Sequence, residues 1–273
     1  GHDDYHCVDD AGFFQLFAKN VQSAADLNII SHRIAELALN PGIIAQDGFL
    51  TTHLIESFKV PERELIAEYL GLPEDIIETP TPAQRILYGD TRRRIPLLWD
   101  VDNPERELMA EYLGRPDDLF ASPTPAQRML YGDLRRRIPV LWDVDNPVMA
   151  GLVQNQDSYM QSVASQRPYF FDHVQGLTDR AFEEFRALTG RAYARVMGYR
   201  TEDAETIVVA LGSVNGTVQE VVDDMRATGV AIGSVAICSF RPFPLAALRE
   251  VLERARRVVV LEKSLAVGLG GEL

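Results

Sequence analysis

The chain has 273 residues, 46% of them apolar and 25% charged, with a formal net charge of −13. That is globular composition, long enough for one large or two ordinary domains. Its acidity leaves no basic footprint for nucleic acid or an anionic membrane surface, and no apolar run approaches the roughly 20 residues that span a bilayer.

Two cysteines, Cys7 and Cys238, cannot build a disulfide framework and suit a reducing cytoplasm. Nor can two thiols hold an iron–sulfur cluster, which takes four thiolates. No signal peptide is visible. The chain opens at Gly1 without a methionine and closes after a glycine-rich turn, so both ends read as cut.

The first residues, HDDYHC (2–7), mix His2, Asp3, Asp4, His6 and Cys7 in a spacing that fits no structural zinc pattern. They read as a surface loop near a cut end. GFFQLFAKN (12–20) reads as a strand or a buried turn. VQSAADLNIISHRIAELAL (21–39) predicts a helix, because Leu27, Ile30, Ile34 and Leu37 recur at helical spacing before Asn40-Pro41-Gly42. GIIAQDGF (42–49) predicts a short strand ending at Asp47-Gly48. Strand, helix, strand is the grammar of an α/β sheet. His53 follows Thr51-Thr52 beyond that strand end, where α/β proteins place ligands, although a capping or core histidine is the plainer reading.

Residues 61–103 then recur, without a gap, as residues 104–146, at roughly three-quarters identity and a period of about 43 residues. Each unit offers a helix (PERELIAEYLG in the first), a polar link, a second short helix near AQRILYG, and an apolar stop at IPLLWDVDN. Two units are too few for a solenoid. The passage reads as a tandem duplication or as a join between two related genes. Arg92–Arg94 and Arg135–Arg137 could grip a phosphate, but such runs are more often solvated or paired, here with Asp90 and Asp133.

Beyond Pro147 the stripe Phe170, Val174, Leu177, Ala181, Phe185 and Leu188 predicts a long helix, with Pro168 in its first turn and Gly190 at its end. Tyr193–Arg200 reads as a connection. Residues 206–262 carry the clearest pattern. TIVVALG, VAIGSVAICSF and RRVVVLEK predict strands, and SVNGTVQEVVDDMRATG and PLAALREVLERA predict helices between them. This β-α-β-α-β run implies parallel strands and right-handed crossovers. Its first turn, LGSVNGT, has Gly212 and Gly216 but not G-x-G-x-x-G, and no acidic residue ends the next strand. A plain strand-to-helix turn, with Ser213 or Asn215 near the cap, therefore stands ahead of a dinucleotide site.

Several passages resemble one family. VQSAADLNIISHRIAELAL…GIIAQDGFLTTHLIE resembles the first domain of the 2-oxoacid:ferredoxin oxidoreductases, the pyruvate:ferredoxin enzymes among them. DNPVMAGLVQNQDSYMQSVASQRPYFFDHV is similar to their stretch around N-P-D. AETIVVALGSVNGTVQEVVDDMRATGVAIGSVAICSFRPFP looks like the opening of their second domain, and VVVLEKSLAVGLGG resembles a later strand and glycine turn there.

The resemblance implies two parallel-sheet α/β domains, both incomplete. Residues 1–200, containing the repeat, would be the C-terminal part of a thiamine-enzyme-like first domain. Residues 201–273 would begin a second domain like the transketolase C-terminal domain. It implies CoA-dependent oxidative decarboxylation of a 2-oxoacid, with pyruvate favoured by the QNQDSY segment. Electrons would pass to ferredoxin, and the chain would be the alpha-subunit region. Thiamine diphosphate with magnesium would be bound with other domains or subunits, and iron–sulfur clusters would sit there too.

Leu50 and Leu54 stand where the family has arginine and glutamate, so no catalytic residue carries over. Asp47, Gly48, Thr52 and His53 match only as a strand-end segment, and Gly212, Ser213, Arg241 and Pro242 as second-domain turn motifs. No metal ligand is expected, and the chain by itself is expected to be inactive. The competing reading is a non-catalytic assembly module of a thiamine-dependent complex. One repeat copy is expected in the family's usual place, the other bulging out with apolar side chains poorly packed.

Overall fold

The computed structural model describes residues 2–53, 55–72, 75–94, 119–121, 128–129, 132–136 and 156–264. The chain forms two compact units, residues 96–162 and the remainder.

In the larger unit a short helix, α1 (Asp3–His6), leads into strand β1 (Phe14–Phe17) and helix α2 (Val21–Ala38). Asn20 starts α2: its side chain accepts from the Ser23 N–H, while Ser23 Oγ accepts from the Asn20 N–H, closing a capping box. The four residues of the predicted stripe, Leu27, Ile30, Ile34 and Leu37, are fully buried. β2 (Gly42–Ala45) returns parallel to β1.

The first repeat copy follows, as α3 (Arg63–Leu70), β3 (Ile76–Glu78), α4 (Pro82–Tyr88) and β4 (Thr91–Arg93). Both predicted helices are present. The polar link hides a strand, since β3 and β4 pair as an antiparallel hairpin. Three-residue strands carry no periodicity, and pairing alone reveals them. The copy docks on α2, whose last turn has no basic residue of its own to meet its orphan carbonyls. Gln84 Nε2 donates to Leu37 O (2.7 Å) and Arg92 Nη2 to Glu36 O (2.6 Å). Arg94 bonds the Glu36 carboxylate (3.0 Å). Arg92 and Arg94 are thus buried partners of the end of α2 rather than a solvated pair.

Helices α5 (Gln156–Tyr169) and α6 (Val174–Thr189) follow, and α6 packs on α2 and α3. Pro168 lies in the last turn of α5, not the first turn of α6, and a 3₁₀ turn at Phe171–His173 separates the two. Gly190, at φ 73°, closes α6 as expected. Val174, Leu177, Ala181 and Phe185 pack with the α2 stripe and Tyr69 into one core. Buried Asp26 fixes the exit from α6. It accepts two bonds from Arg191 (2.7 and 2.9 Å) and one from the Tyr193 hydroxyl (2.7 Å).

The second sheet has the order β11-β8-β9-β7, with β7 at Val196–Tyr199, β8 at Thr206–Leu211, β9 at Ile232–Ile237 and β11 at Arg257–Leu261. β11, β8 and β9 are parallel, as the pattern requires, and are joined through α7 (Val214–Ala227) and α8 (Leu245–Leu252). The segment read as a connection, Tyr193–Arg200, contains β7, an antiparallel edge strand on β9. The segment read as one strand, VAIGSVAICSF, is two. After β9 the chain passes Cys238 and leaves the sheet as β10 (Ser239–Arg241), antiparallel to β1. The first sheet therefore reads β10-β1-β2. The protein is mixed α/β, with parallel strands in both sheets.

In the smaller unit the second copy repeats the hairpin, β5 (Leu119–Ala121) against β6 (Leu134–Arg136), in the register of the first. Leu119, Met129 and Leu134 are exposed. The IPLLWDVDN passages and the glycine turn after Ser264 lie outside the described residues.

Candidate functional site

The carboxyl ends of β2, from one sheet, and of β8 and β11, from the other, meet at one carboxylate, that of Asp47. Ser213, following β8, donates its backbone N–H to Asp47 Oδ2 (2.5 Å). Lys263, following β11, donates to Oδ1 (3.0 Å), and His2 Nε2 lies 2.9 Å from the same oxygen. Asp47 is only 7% exposed. Burial pushes its pKa up, but the bonds from His2, the Ser213 N–H and Lys263 outweigh burial and hold it well below the usual carboxylate range.

Gly212 makes the approach possible. It sits at φ 78°, and a Cβ there would land on Asp47 Oδ2 and lie 2.8 Å from Phe17 Cε1. Ser213 does not cap α7 with its side chain. Asn215 instead turns back, donating to the carbonyls of Ala210 (3.2 Å) and Gly212 (2.8 Å), which locks the turn.

HDDYHC is not a surface loop. His2, Tyr5 and His6 are buried, with Tyr5 against Phe17 and Phe240 and His6 bonded to Asp9 (3.1 Å). His2 Nδ1 is buried without a hydrogen-bond partner among the described residues. A cavity of about 670 Å³ opens beside this cluster, lined by His2, Tyr5, Asp47, Phe49, Leu50 and Lys263 among others.

The strand-end motif is divided. Asp47 and Gly48 line the cavity, whereas Thr52 and His53 sit one turn on and exposed. His53 is neither core nor cap: it stacks on Phe49 (4.3 Å) and bonds Thr52 Oγ1 (2.7 Å). Arg241 and Pro242 border a second cleft of about 950 Å³, where Arg241 pairs with Asp9 (2.8 Å) over the Phe240 ring. Sequence reasoning missed the roles of His2 and Lys263. Their only signal is position, a histidine near the chain start and a lysine just past a strand.

No group of three or more His, Cys, Asp or Glu able to hold a metal occurs among the described residues, and Asp47 already accepts three hydrogen bonds. These residues do not fit a magnesium–diphosphate clasp. Cys7 is exposed and Cys238 buried, and burial pushes the Cys238 thiol up to about 12.

Two family models match in order along the chain. Residues 1–99 match "Pyruvate flavodoxin/ferredoxin oxidoreductase, thiamine diP-bdg", and residues 204–273 match "Pyruvate:ferredoxin oxidoreductase core domain II". The chain belongs to the 2-oxoacid:ferredoxin oxidoreductase family, in its alpha-subunit region.

Among its relatives is pyruvate synthase subunit PorA of Pyrococcus furiosus, 27% identical over 96% of this chain and 51% of that protein. PorA of Thermotoga maritima is 28% identical over 98% and 53%. The pyruvate-flavodoxin oxidoreductase of Klebsiella pneumoniae is 28% identical over 99% of this chain but 18% of its own length. The chain thus spans about half the length of the PorA proteins it matches. A solved 2-oxoglutarate:ferredoxin oxidoreductase from Magnetococcus marinus aligns over 90% of this chain, at 14% identity and a TM-score of 0.42.

Proposed function

We propose that this chain is part of a thiamine diphosphate-dependent pyruvate:ferredoxin oxidoreductase, in which it builds the junction between the first and second domains of the alpha region. The observation that carries the reading is the Asp47 node. His2 and Asp47 fall in the segment matching the thiamine-binding model, Ser213 and Lys263 in the segment matching core domain II, and the four meet within hydrogen-bond distance. We divide the domains at residues 200 and 201. Pyruvate is preferred because the PorA relatives are named pyruvate synthase subunits.

In this reading the whole enzyme decarboxylates pyruvate oxidatively, transfers the acetyl group to CoA and passes electrons through iron–sulfur clusters to ferredoxin in the cytoplasm. Thiamine diphosphate, when bound, supplies the carbanion-stabilising ring. Magnesium, the diphosphate and the clusters are held by other domains or subunits. The residues described here position rather than react: the node fixes the Asp47–His53 turn and the cavity beside it. The engagement of Asp47 by three donors also favours the alternative, in which the region only assembles the complex.

The test is viologen reduction by a full-length enzyme containing this region, assayed with pyruvate and CoA. Dependence on both is expected. Turnover of 2-oxoglutarate without pyruvate would overturn the substrate, and turnover of no 2-oxoacid would overturn the catalytic reading.

A further inference from the structure

The first repeat copy holds its place through a small set of side chains. Tyr69 donates its hydroxyl to Ala181 O in α6 (2.9 Å), and Gln84, Arg92 and Arg94 cover the C-terminal turn of α2. Gln84 Oε1 accepts from Arg92 Nε (2.7 Å), which ties the docking residues to one another. Thr79, Thr81 and Ala83 are buried with them.

The second copy carries the same residue types at all but one of these places. They are Tyr112, Gln127, Arg135, Arg137, Thr124 and Ala126, with Ser122 keeping the hydroxyl of Thr79. Where the copies differ, the first copy is mostly exposed: Leu72, Ile76, Glu78, Ile86 and Thr91 face water. Ile66 and Ile77, half-buried, change to Met109 and Phe120 and stay apolar. The hairpin register is also the same in both copies. Sequence drift has kept the hydrogen-bonding groups of the docking face and the apolar character of Ile66 and Ile77, and otherwise falls on the solvent face.

We propose that the surface formed by the end of α2 and by α6 accepts either copy, so that residues 104–137 exchange intramolecularly with residues 61–94. Chain closure weights the two states without forbidding either. Lys59 is tied to Gln22 on α2 (2.8 and 3.0 Å), and the chain re-enters the described fold at α5. Docking the first copy leaves one linker of about 60 residues to close, whereas docking the second leaves two, of about 44 and about 18 residues, which favours the first-copy state on the order of fiftyfold. Exchange between chains gains nothing. Each chain has one surface, so a copy docked in trans displaces one already docked, for no added contact and at the cost of association.

Equilibrium unfolding of the 273-residue chain tests this with three variants: Tyr69→Ala with Arg92→Ala, Tyr112→Ala with Arg135→Ala, and all four together. Losing the first-copy state lowers the folding constant about fiftyfold, because the second copy then takes its place, and losing the minor second-copy state barely changes it. The quadruple variant should lose over about a thousandfold, far beyond the product of the other two. A first-copy variant as unstable as the quadruple one would overturn the proposal.

Amide exchange on the first-copy variant keeps the test decisive if the quadruple variant fails to fold. Peptides spanning residues 119–136 should gain protection as those spanning 76–93 lose it, and unchanged exchange at 119–136 would overturn exchange of copies. A concentration-dependent dimer in sedimentation would overturn its intramolecular character.

Discussion

Replacing Asp47 with asparagine separates charge from shape at the node. Asparagine keeps the volume and one acceptor oxygen but turns an amide against one of three donors that now converge at 2.5, 2.9 and 3.0 Å. A hydrogen bond to a charged group is worth about 1.5–3 kcal/mol, and breaking a buried pair costs about 3–5 kcal/mol. Lys263 is 31% exposed at its side chain and can turn to water, which places Asp47→Asn at the lower end, about 3 kcal/mol at pH 7.

The sign of the pH dependence follows from the direction of the shift. Asp47 is held below its unfolded value of about 3.9, so the folded state binds fewer protons. Its contribution is complete above about pH 5 and is lost as the pH falls through 4 toward the folded value. Urea unfolding followed by circular dichroism at pH 7, 5, 4 and 3 should give a gap between wild type and variant that is constant from 7 to 5 and then narrows. A gap under about 1 kcal/mol at pH 7, or one that widens in acid, would refute the assignment of Asp47 as an ionised junction residue.

Gly212→Ala should destabilise by about 3 kcal/mol or more, from the left-handed backbone (about 1–2 kcal/mol) and from displacing Asp47 off the Ser213 N–H; the same urea titration measures it, and a loss under about 1 kcal/mol would contradict the close approach. In the native protein one thiol, Cys7, should react with iodoacetamide, while Cys238, buried and raised to about 12, should react only after denaturation; mass spectrometry of the labelled peptides distinguishes the two.

What the sequence displays well is periodicity inside one element. The α2 stripe and the β8-α7-β9-α8-β11 run are legible because each declares itself within a dozen residues. What it conceals is partnership. The donors to Asp47 come from positions 2, 213 and 263, and only the Asp-Gly turn stands out locally. The arginine run of the first repeat looked like a ligand grip or a solvated patch, because nothing in Arg92–Arg94 announces that α2 ends without a cation. β7 and β10 are short, and their neighbours are fixed by register rather than composition.

β10 has the largest consequence. The residues after Cys238 belong, by sequence match, with the second segment, yet they pair with β1 of the first sheet. In return, His2 and Tyr5 from the first segment pack on Phe17 beside Phe240 of the second. A strand donated one way and an aromatic cluster donated the other way cannot be separated without exposing the β1 edge and the Phe240 ring together. The two matched segments therefore gain stability from each other, and the Asp47 node lies at the place where that mutual dependence is held in register.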